Sequence, residues 1–141
     1  MLSDKTKTRI KRIWITAIVL LFFNAASAIW GGLGLIFDPS GKLMQMPLSM
    51  LRYSPFTNFL IPGIILFTFN GLFSTVTGIL ALLKNRYYPY LTILQGCILT
   101  IWLIVEIIML RSFYFPLHFP YLMVGTGMIL TGYALTNFLK Q

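Results

Sequence analysis

Four long apolar runs constrain the fold of this chain more than any other feature of its sequence. They cover residues 13–37, 62–83, 88–110 and 118–139. A helix needs about 20 residues to cross a hydrocarbon core of about 30 Å, and each run is long enough. The first run is too long for the apolar region of a cleaved signal peptide, which has about 7–15 residues. We therefore predict four retained transmembrane helices, with one long loop over residues 38–61.

The composition indicates that lipid, rather than water, surrounds much of the molecule. Hydrophobic residues make up 57% of the 141 residues, and charged residues only 10%. Soluble domains have about 25% charged residues, so this chain has too few charges to cover a soluble globule. We predict a single integral membrane domain, residues 1–141, whose fold class is an all-α bundle of four transmembrane helices.

The basic residues, which give the chain a net charge of +8, are distributed unevenly between the two ends of this bundle. Eight are predicted at the end that contains both termini: Lys5, Lys7, Arg9, Lys11, Arg12, Lys84, Arg86 and Lys140. Three are predicted at the other end: Lys42, Arg52 and Arg111. The positive-inside rule predicts that both termini face the cytoplasm. Because most of these residues border apolar runs, and no aromatic residue interrupts the basic N-terminus before Trp14, we expect no binding to nucleic acid. The first ten residues are expected to be mobile at the membrane surface.

The long loop contains turn signals and a helix-start signal. DPSG at residues 38–41 favours a turn, because proline presets φ and glycine permits a left-handed exit. Ser54 followed by Pro55 is typical of a helix start, with serine as the N-cap. Pro62 should kink or break that helix. We predict a short interfacial or re-entrant helix that leads into the second span.

Each run carries one stripe of mostly small and polar residues at helical spacing. The four stripes are Ala17, Asn24, Ala28, Gly31 and Asp38; Gly63, Asn70, Ser74 and Thr77; Gln95, Leu99, Trp102 and Glu106; and His118, Gly125, Gly132 and Thr136. Small residues let helices approach, and polar residues hydrogen-bond between them, so the stripes predict the inward faces. We expect Asn24, Asn70 and Gln95 to be buried. The two asparagines either tie the first two spans together or line a ligand cavity.

Glu106, in the stretch IWLIVEIIML, is the strongest candidate for a functional residue. It lies about five residues, or roughly 7 Å, from the end of the third span. An acid within a membrane span is costly and indicates function by default. We predict an outward-facing ligand-binding pocket formed by Glu106, Trp102, His118, Asp38, Arg52 and Tyr121. The alternative is structural: Glu106 pairs with His118 or Arg52 and locks the outer end of the bundle.

The residue types argue against several kinds of site. Cys97 is the one cysteine, so the chain has no internal disulfide and no CxxC motif. His118 is the one histidine, so a single chain cannot ligate a haem through two histidines, and no set of metal ligands is recognisable. We therefore expect no metal and no cofactor. No motif assigns catalytic residues.

DPSG at 38–41, followed by MPLSMLRYSPFTNFLIPG at 46–63, resembles a signature of small bacterial four-span membrane proteins of unassigned function, broadly similar to the DoxX-like group. The resemblance covers about residues 31–63, and the rest of the chain only through its pattern of spans. It implies a four-helix bundle in the bacterial inner (plasma) membrane. It implies no reaction.

Three functions are compatible with these features. The leading expectation is a non-enzymatic membrane protein that binds a lipid-like or small apolar molecule, or a membrane partner, through the outward-facing pocket. The second is a membrane enzyme of the isomerase type that uses Glu106 as general acid and base, aided by His118. The third is a small proton-coupled transporter that acts as an oligomer. The expected partners are membrane lipid and either a second copy of the chain or another membrane protein.

Overall fold

Four long helices make up most of the chain in the computed structural model, which describes residues 2–140. They are α1 (Asp4–Phe37), α2 (Leu60–Leu82), α3 (Tyr88–Leu110) and α4 (Phe115–Leu139), and each is long and apolar enough to cross a membrane. The described residues contain no strand. The predicted fold class, an all-α four-helix bundle, is confirmed. Met1 and Gln141, which the predicted domain includes, lie outside the described residues.

The first helix begins well before the first apolar run. Ser3 is its N-cap, and the Ser3 side chain accepts a hydrogen bond from the backbone N–H of Thr6. Asp4 in the first turn also favours a helix start, because a negative charge interacts well with the N-terminal end of the helix dipole. The basic segment from Asp4 onward is therefore helical, and the expected mobility of the first ten residues stays a prediction. At 1.5 Å per residue α1 is about 50 Å long, so its first turns project beyond a hydrocarbon core of about 30 Å.

The loop between α1 and α2 folds differently from our prediction. Its one helical element is a 3₁₀ turn at Leu48–Leu51, so the predicted helix start at Ser54 is wrong. The hydroxyl of Ser54 accepts from the N–H of Phe56 and donates to the carbonyl of Leu51, which closes a local turn. Pro62 does not break a helix. It lies in the first turn of α2, where a missing N–H costs no hydrogen bond.

The second helix contains a π-helical segment, Leu66–Leu72, that the sequence pattern did not indicate. Asn70 and Gly71 in this segment are buried. A π segment changes which carbonyls are used within the helix. The carbonyl of Asn70 accepts a hydrogen bond of 3.4 Å from Nδ2 of Asn24, so this segment is joined to α1.

The helices pack as a ring in the order α1–α2–α3–α4, with α4 closing against α1. This up-down arrangement gives the bundle two ends. The terminal end holds the start of α1, the end of α4 and the connection 83–87. The loop end holds the long loop, residues 38–59, and the connection 111–114. The predicted stripes face inward: all four residues of the second stripe and all four of the fourth are buried.

Two pairs of helices approach closely at glycines. In the α1–α2 pair, a Cβ atom built on Gly32 would lie 2.9 Å from the Cα atom of Phe67. In the α3–α4 pair, a Cβ atom on Gly96 would lie 2.7 Å from the carbonyl oxygen of Gly125. Both distances are too short for a larger residue. The absence of a side chain at these positions therefore sets the helix separation.

Candidate functional site

Glu106 and His118 come together at the loop end of the bundle. Glu106 lies one turn before the end of α3, and His118 lies in the first turns of α4. The Nε2 atom of His118 is 3.7 Å from Oε2 of Glu106, which is longer than a hydrogen bond. The His118 side chain is only 1% exposed, whereas that of Glu106 is 21% exposed. The carboxylate is thus the more accessible member of the pair.

The orientation of the imidazole is set by the start of α4. The backbone N–H of Tyr114, the N-cap residue, donates a hydrogen bond of 2.8 Å to Nδ1 of His118. When Nδ1 accepts, the proton of a neutral imidazole is on Nε2. The ring of Phe113 stacks on the imidazole with its centroid at 5.6 Å. The His118 ring is therefore held with its Nε2 atom, which carries the proton of the neutral imidazole, 3.7 Å from Oε2 of Glu106.

That donor has no hydrogen-bond partner among residues 2–140, although it is buried. A buried donor without an acceptor costs about 1–3 kcal/mol. The site thus combines an unpaired N–H with a partly accessible carboxylate on the neighbouring helix. A group that accepts from the first and donates to the second would satisfy both.

The other four predicted site residues are not joined to this pair by any hydrogen bond or ion pair within residues 2–140. Trp102 is half-buried, one helical turn before Glu106 on α3. Tyr121 stacks on Phe23 of α1, with ring centroids 5.7 Å apart. Arg52 is exposed in the long loop.

Asp38, the fourth of these residues, is bound within its own loop. Its carboxylate accepts from the backbone N–H of Ser40, from the Ser40 hydroxyl at 2.5 Å and from the N–H of Leu43 at 2.9 Å. These bonds, that of the Ser40 hydroxyl above all, lower the pKa of Asp38 below its ordinary value. Of the six residues predicted to form the pocket, only Glu106 and His118 are thus joined by a polar contact within residues 2–140.

Phe113 and Tyr114 were missed from the sequence. The available signal was the position of His118 near the start of a helix, where backbone N–H groups lack intrahelical partners. A side chain that reaches back to the N-cap N–H is a known helix-start arrangement, usually made by glutamate or glutamine. Here a histidine takes that role.

A second buried polar group lies in the middle of the bundle. Nε2 of Gln95 donates a hydrogen bond of 3.2 Å to Oδ1 of Asn70, and Asn24 bonds the Asn70 carbonyl. All three side chains are at most 1% exposed. Within residues 2–140, Nδ2 of Asn70 and Oε1 of Gln95 have no partner. The trio links α1, α2 and α3. Even if the oxygen and nitrogen positions of both the Asn70 and Gln95 amides are exchanged, one donor and one acceptor remain unpaired.

The described residues contain no group of three or more His, Cys, Asp or Glu side chains that could hold a metal ion. Cys97 is a half-buried free thiol on α3. Comparison with known proteins adds no assignment, because no family model, curated protein or solved structure matches the chain.

Proposed function

We propose that this protein binds a hydroxyl-bearing, lipid-like molecule between Glu106 and His118 at the loop end of the bundle. The observation that carries the proposal is the buried Nε2–H of His118, which has no acceptor in residues 2–140 and lies 3.7 Å from the Glu106 carboxylate. A hydroxyl group can accept from the imidazole and donate to the carboxylate at the same time. Such a ligand would remove the cost of the unpaired donor.

The surroundings of the pair favour a lipid-like molecule over a water-soluble one. Val105 and Ile108, on either side of Glu106 in the sequence, are 41% and 66% exposed, and Phe119 next to His118 is 43% exposed. In a membrane these side chains contact lipid. A molecule with a polar hydroxyl and an apolar body can therefore reach Glu106 from the side of the bundle while its body remains in the hydrocarbon.

Mass spectrometry of lipid extracted with the purified protein tests this function. Wild-type protein should retain a hydroxyl-bearing lipid, and both Glu106→Gln and His118→Ala should lose most of it. Asp38→Asn is the matched control, because it removes an acid at the same end of the bundle but outside the pair. Its lipid content should equal that of the wild type.

Two outcomes would count against lipid binding at this pair. Equal lipid retention in all four proteins would place the lipid elsewhere. Loss of thermal stability in Glu106→Gln, without a hydroxyl-bearing lipid in the wild type, would assign the pair to locking the loop end. Recovery of the lipid in a chemically altered form, with the alteration lost in Glu106→Gln, would instead favour the acid–base enzyme.

We infer that the protein resides in the bacterial inner membrane with both termini in the cytoplasm. The charge distribution supports this orientation, because eight basic residues lie at the terminal end and three at the loop end. The resemblance of residues 38–63 to small bacterial four-span proteins supports the choice of membrane. The Glu106–His118 pair would then open near the outer surface.

A further inference from the structure

A groove of about 1000 Å³ lies at the terminal end of the bundle, on the side of the membrane opposite to Glu106. The start of α1, the end of α4 and the connection between α2 and α3 form it. Its lining includes five cations: Lys7, Lys11, Lys84, Arg86 and Lys140. Four tyrosine or tryptophan side chains also line it, and none of the three acidic residues of the chain does. The groove is thus both strongly basic and rich in aromatic surface.

Lys84 lines this groove directly after the end of α2. It adopts a left-handed backbone conformation with φ of 53°, a position that glycine usually occupies after a helix. The N–H of Lys84 bonds to the carbonyl of Ala81, and the N–H of Asn85 bonds to that of Leu80. This bonding pattern ends the helix. The left-handed conformation costs conformational energy for a lysine, because of its Cβ atom, but not for a glycine.

Trp14 of α1 anchors the other side of the same contact. Its indole N–H donates a hydrogen bond of 2.8 Å to the carbonyl of Ala81, which is in α2. The Nζ atom of Lys84 lies 4.9 Å from the centroid of the Trp14 ring. The ring and the ammonium group therefore form a defined wall of the groove, and they are not independent surface side chains.

Two cations of the groove have no acidic partner in the described part of the chain. Within residues 2–140, neither Lys11 nor Lys84 has a carboxylate oxygen within 4.0 Å. The positive-inside rule explains why basic residues are at this end, but it does not require five of them to line one groove. Lys5 and Arg12 show that a basic residue at this end need not line the groove. They lie on the opposite face of α1 from Lys7, Lys11 and Trp14, and they do not line the groove.

We propose that this groove binds the phosphate head group of an anionic phospholipid, with a lipid that carries two phosphates bound more tightly than one that carries a single phosphate. Each lysine or arginine near an anionic lipid surface contributes about a fivefold gain in binding, and basic pockets between transmembrane helices suit such head groups. Trp14 and the tyrosines provide the amphipathic rings that are typical of the membrane interface. The apolar side chains of Ile10 and Leu139 in the lining are suited to the start of the acyl chains.

Two double variants with the same change in charge test this site. Lys11→Gln with Lys84→Gln removes two cations from the groove, whereas Lys5→Gln with Arg12→Gln removes two from the opposite face of α1. Delipidated protein in neutral detergent is titrated with cardiolipin, phosphatidylglycerol and phosphatidylcholine, and binding is followed by native mass spectrometry. We expect wild type and the Lys5/Arg12 variant to prefer cardiolipin. The Lys11/Lys84 variant should bind it about 25-fold more weakly.

Equal losses in the two double variants would overturn the proposal, since charge at this end and not the groove would then explain binding. The absence of any preference of the wild type for anionic lipid would overturn it as well. Inorganic phosphate added to the lipid-bound protein should leave the lipid in place, and displacement would reassign the groove to a soluble phosphate compound. If the Lys11/Lys84 variant loses its helical circular dichroism, Arg86→Gln with Lys140→Gln provides a second groove variant, with the same loss of binding expected. Cardiolipin and phosphatidylglycerol also carry hydroxyl groups that suit the Glu106 site, so every protein in this titration carries Glu106→Gln in addition. With that site removed, the two proposals can fail independently.

Discussion

Asn70 holds the centre of the bundle through both its side chain and its backbone. The side chain accepts from Gln95 of α3, and the carbonyl accepts from Asn24 of α1. Within a membrane, an amide that loses its partner has no water to hydrogen-bond instead. Replacing one residue of a hydrogen-bonded pair therefore also leaves the other residue unpaired. The consequences of removing one member and of removing both are therefore different.

A double-mutant cycle on Asn70 and Gln95 should show this difference. We expect Asn70→Leu to destabilise the protein by about 1–2 kcal/mol, because the Gln95 amide is left buried without its partner. Asn70→Leu combined with Gln95→Leu should cost less than the sum of the single changes, by about 0.5–1.5 kcal/mol. Unfolding in mixed detergent and denaturant measures these differences.

The control cycle combines Asn70→Leu with Thr131→Val. The Thr131 hydroxyl bonds to carbonyls of its own helix, so it shares no partner with Asn70. The two changes should add. Strict additivity of Asn70→Leu and Gln95→Leu as well would show that the bond between the two amides contributes nothing to stability.

Asp38 makes the long loop sensitive to acid. Its pKa is lowered by the hydrogen bonds from the Ser40 hydroxyl and the Leu43 N–H, relative to an ordinary value of 3.8. A carboxyl group whose pKa is lowered by folding stabilises the fold above its ordinary value, and this stabilisation is lost as the pH falls through the lower, folded-state pKa. The loop should therefore loosen below about pH 4.

Hydrogen exchange at the Leu43 amide measures this loosening. Protection should be constant from pH 7 to about pH 5, after correction for the intrinsic exchange rate, and should fall in more acidic solution. In Asp38→Asn protection should be lower at pH 7 and independent of pH over the same range. A wild-type protection factor that does not change between pH 7 and pH 3 would contradict the role given to Asp38.

At the scale of elements, the α3–α4 pair depends on glycine at the point of closest approach. A methyl group at position 96 would lie 2.7 Å from the carbonyl oxygen of Gly125 and 3.0 Å from the backbone nitrogen of Ile129. Backbone atoms cannot move aside as a flexible side chain can. We expect Gly96→Ala to destabilise the protein by about 1–3 kcal/mol, the usual cost of overpacking.

Gly31→Ala is the matched control for Gly96→Ala. Its new methyl group would meet only the end of the Leu66 side chain, at 3.4 Å. Alanine also favours a helix over glycine by about 1 kcal/mol. Thermal unfolding should show Gly31→Ala to be neutral or slightly stabilising. A similar loss in both variants would mean that helix separation is not set at Gly96.

The helices themselves could be predicted closely, because length and hydropathy determine a membrane span. The third run, 88–110, coincides with α3. The π segment could not be predicted, since the apolar pattern of α2 does not distinguish a π turn from an α turn. The false helix start at Ser54 has a local cause: a serine side chain can cap a helix or close a turn, and the sequence pattern does not distinguish them.

The candidate site was only partly predictable for a similar reason. Helical periodicity correctly placed Glu106 and His118 on facing inward stripes. Helical periodicity carries no information about the long loop, and Asp38 and Arg52 were predicted to lie beside Glu106 and His118. In the structure the carboxylate of Asp38 accepts hydrogen bonds from Ser40 and Leu43. The contributions of Phe113 and Tyr114 depend on the geometry of a helix start, which periodicity does not describe.

At the scale of the whole molecule, the orientation in the membrane can be tested by cysteine labelling. Cys97 is first replaced by serine, and single cysteines are then introduced by Lys42→Cys at the loop end or Asn85→Cys at the terminal end. A membrane-impermeant maleimide added to intact cells, with the outer membrane permeabilised, should label the protein at position 42 and not at position 85. The reverse result would invert the proposed topology.

The arrangement of the glycine contacts has a consequence for biosynthesis. Both close pairs, α1–α2 at Gly32 and α3–α4 at Gly96, join helices that are consecutive in the chain. Each pair can therefore assemble as a helical hairpin soon after its second helix has entered the membrane. The bond from Gln95 to Asn70 joins one hairpin to the other, so it forms only after both have been inserted. Until then Oδ1 of Asn70 lacks this donor, which favours docking of the second hairpin over its diffusion into the bilayer.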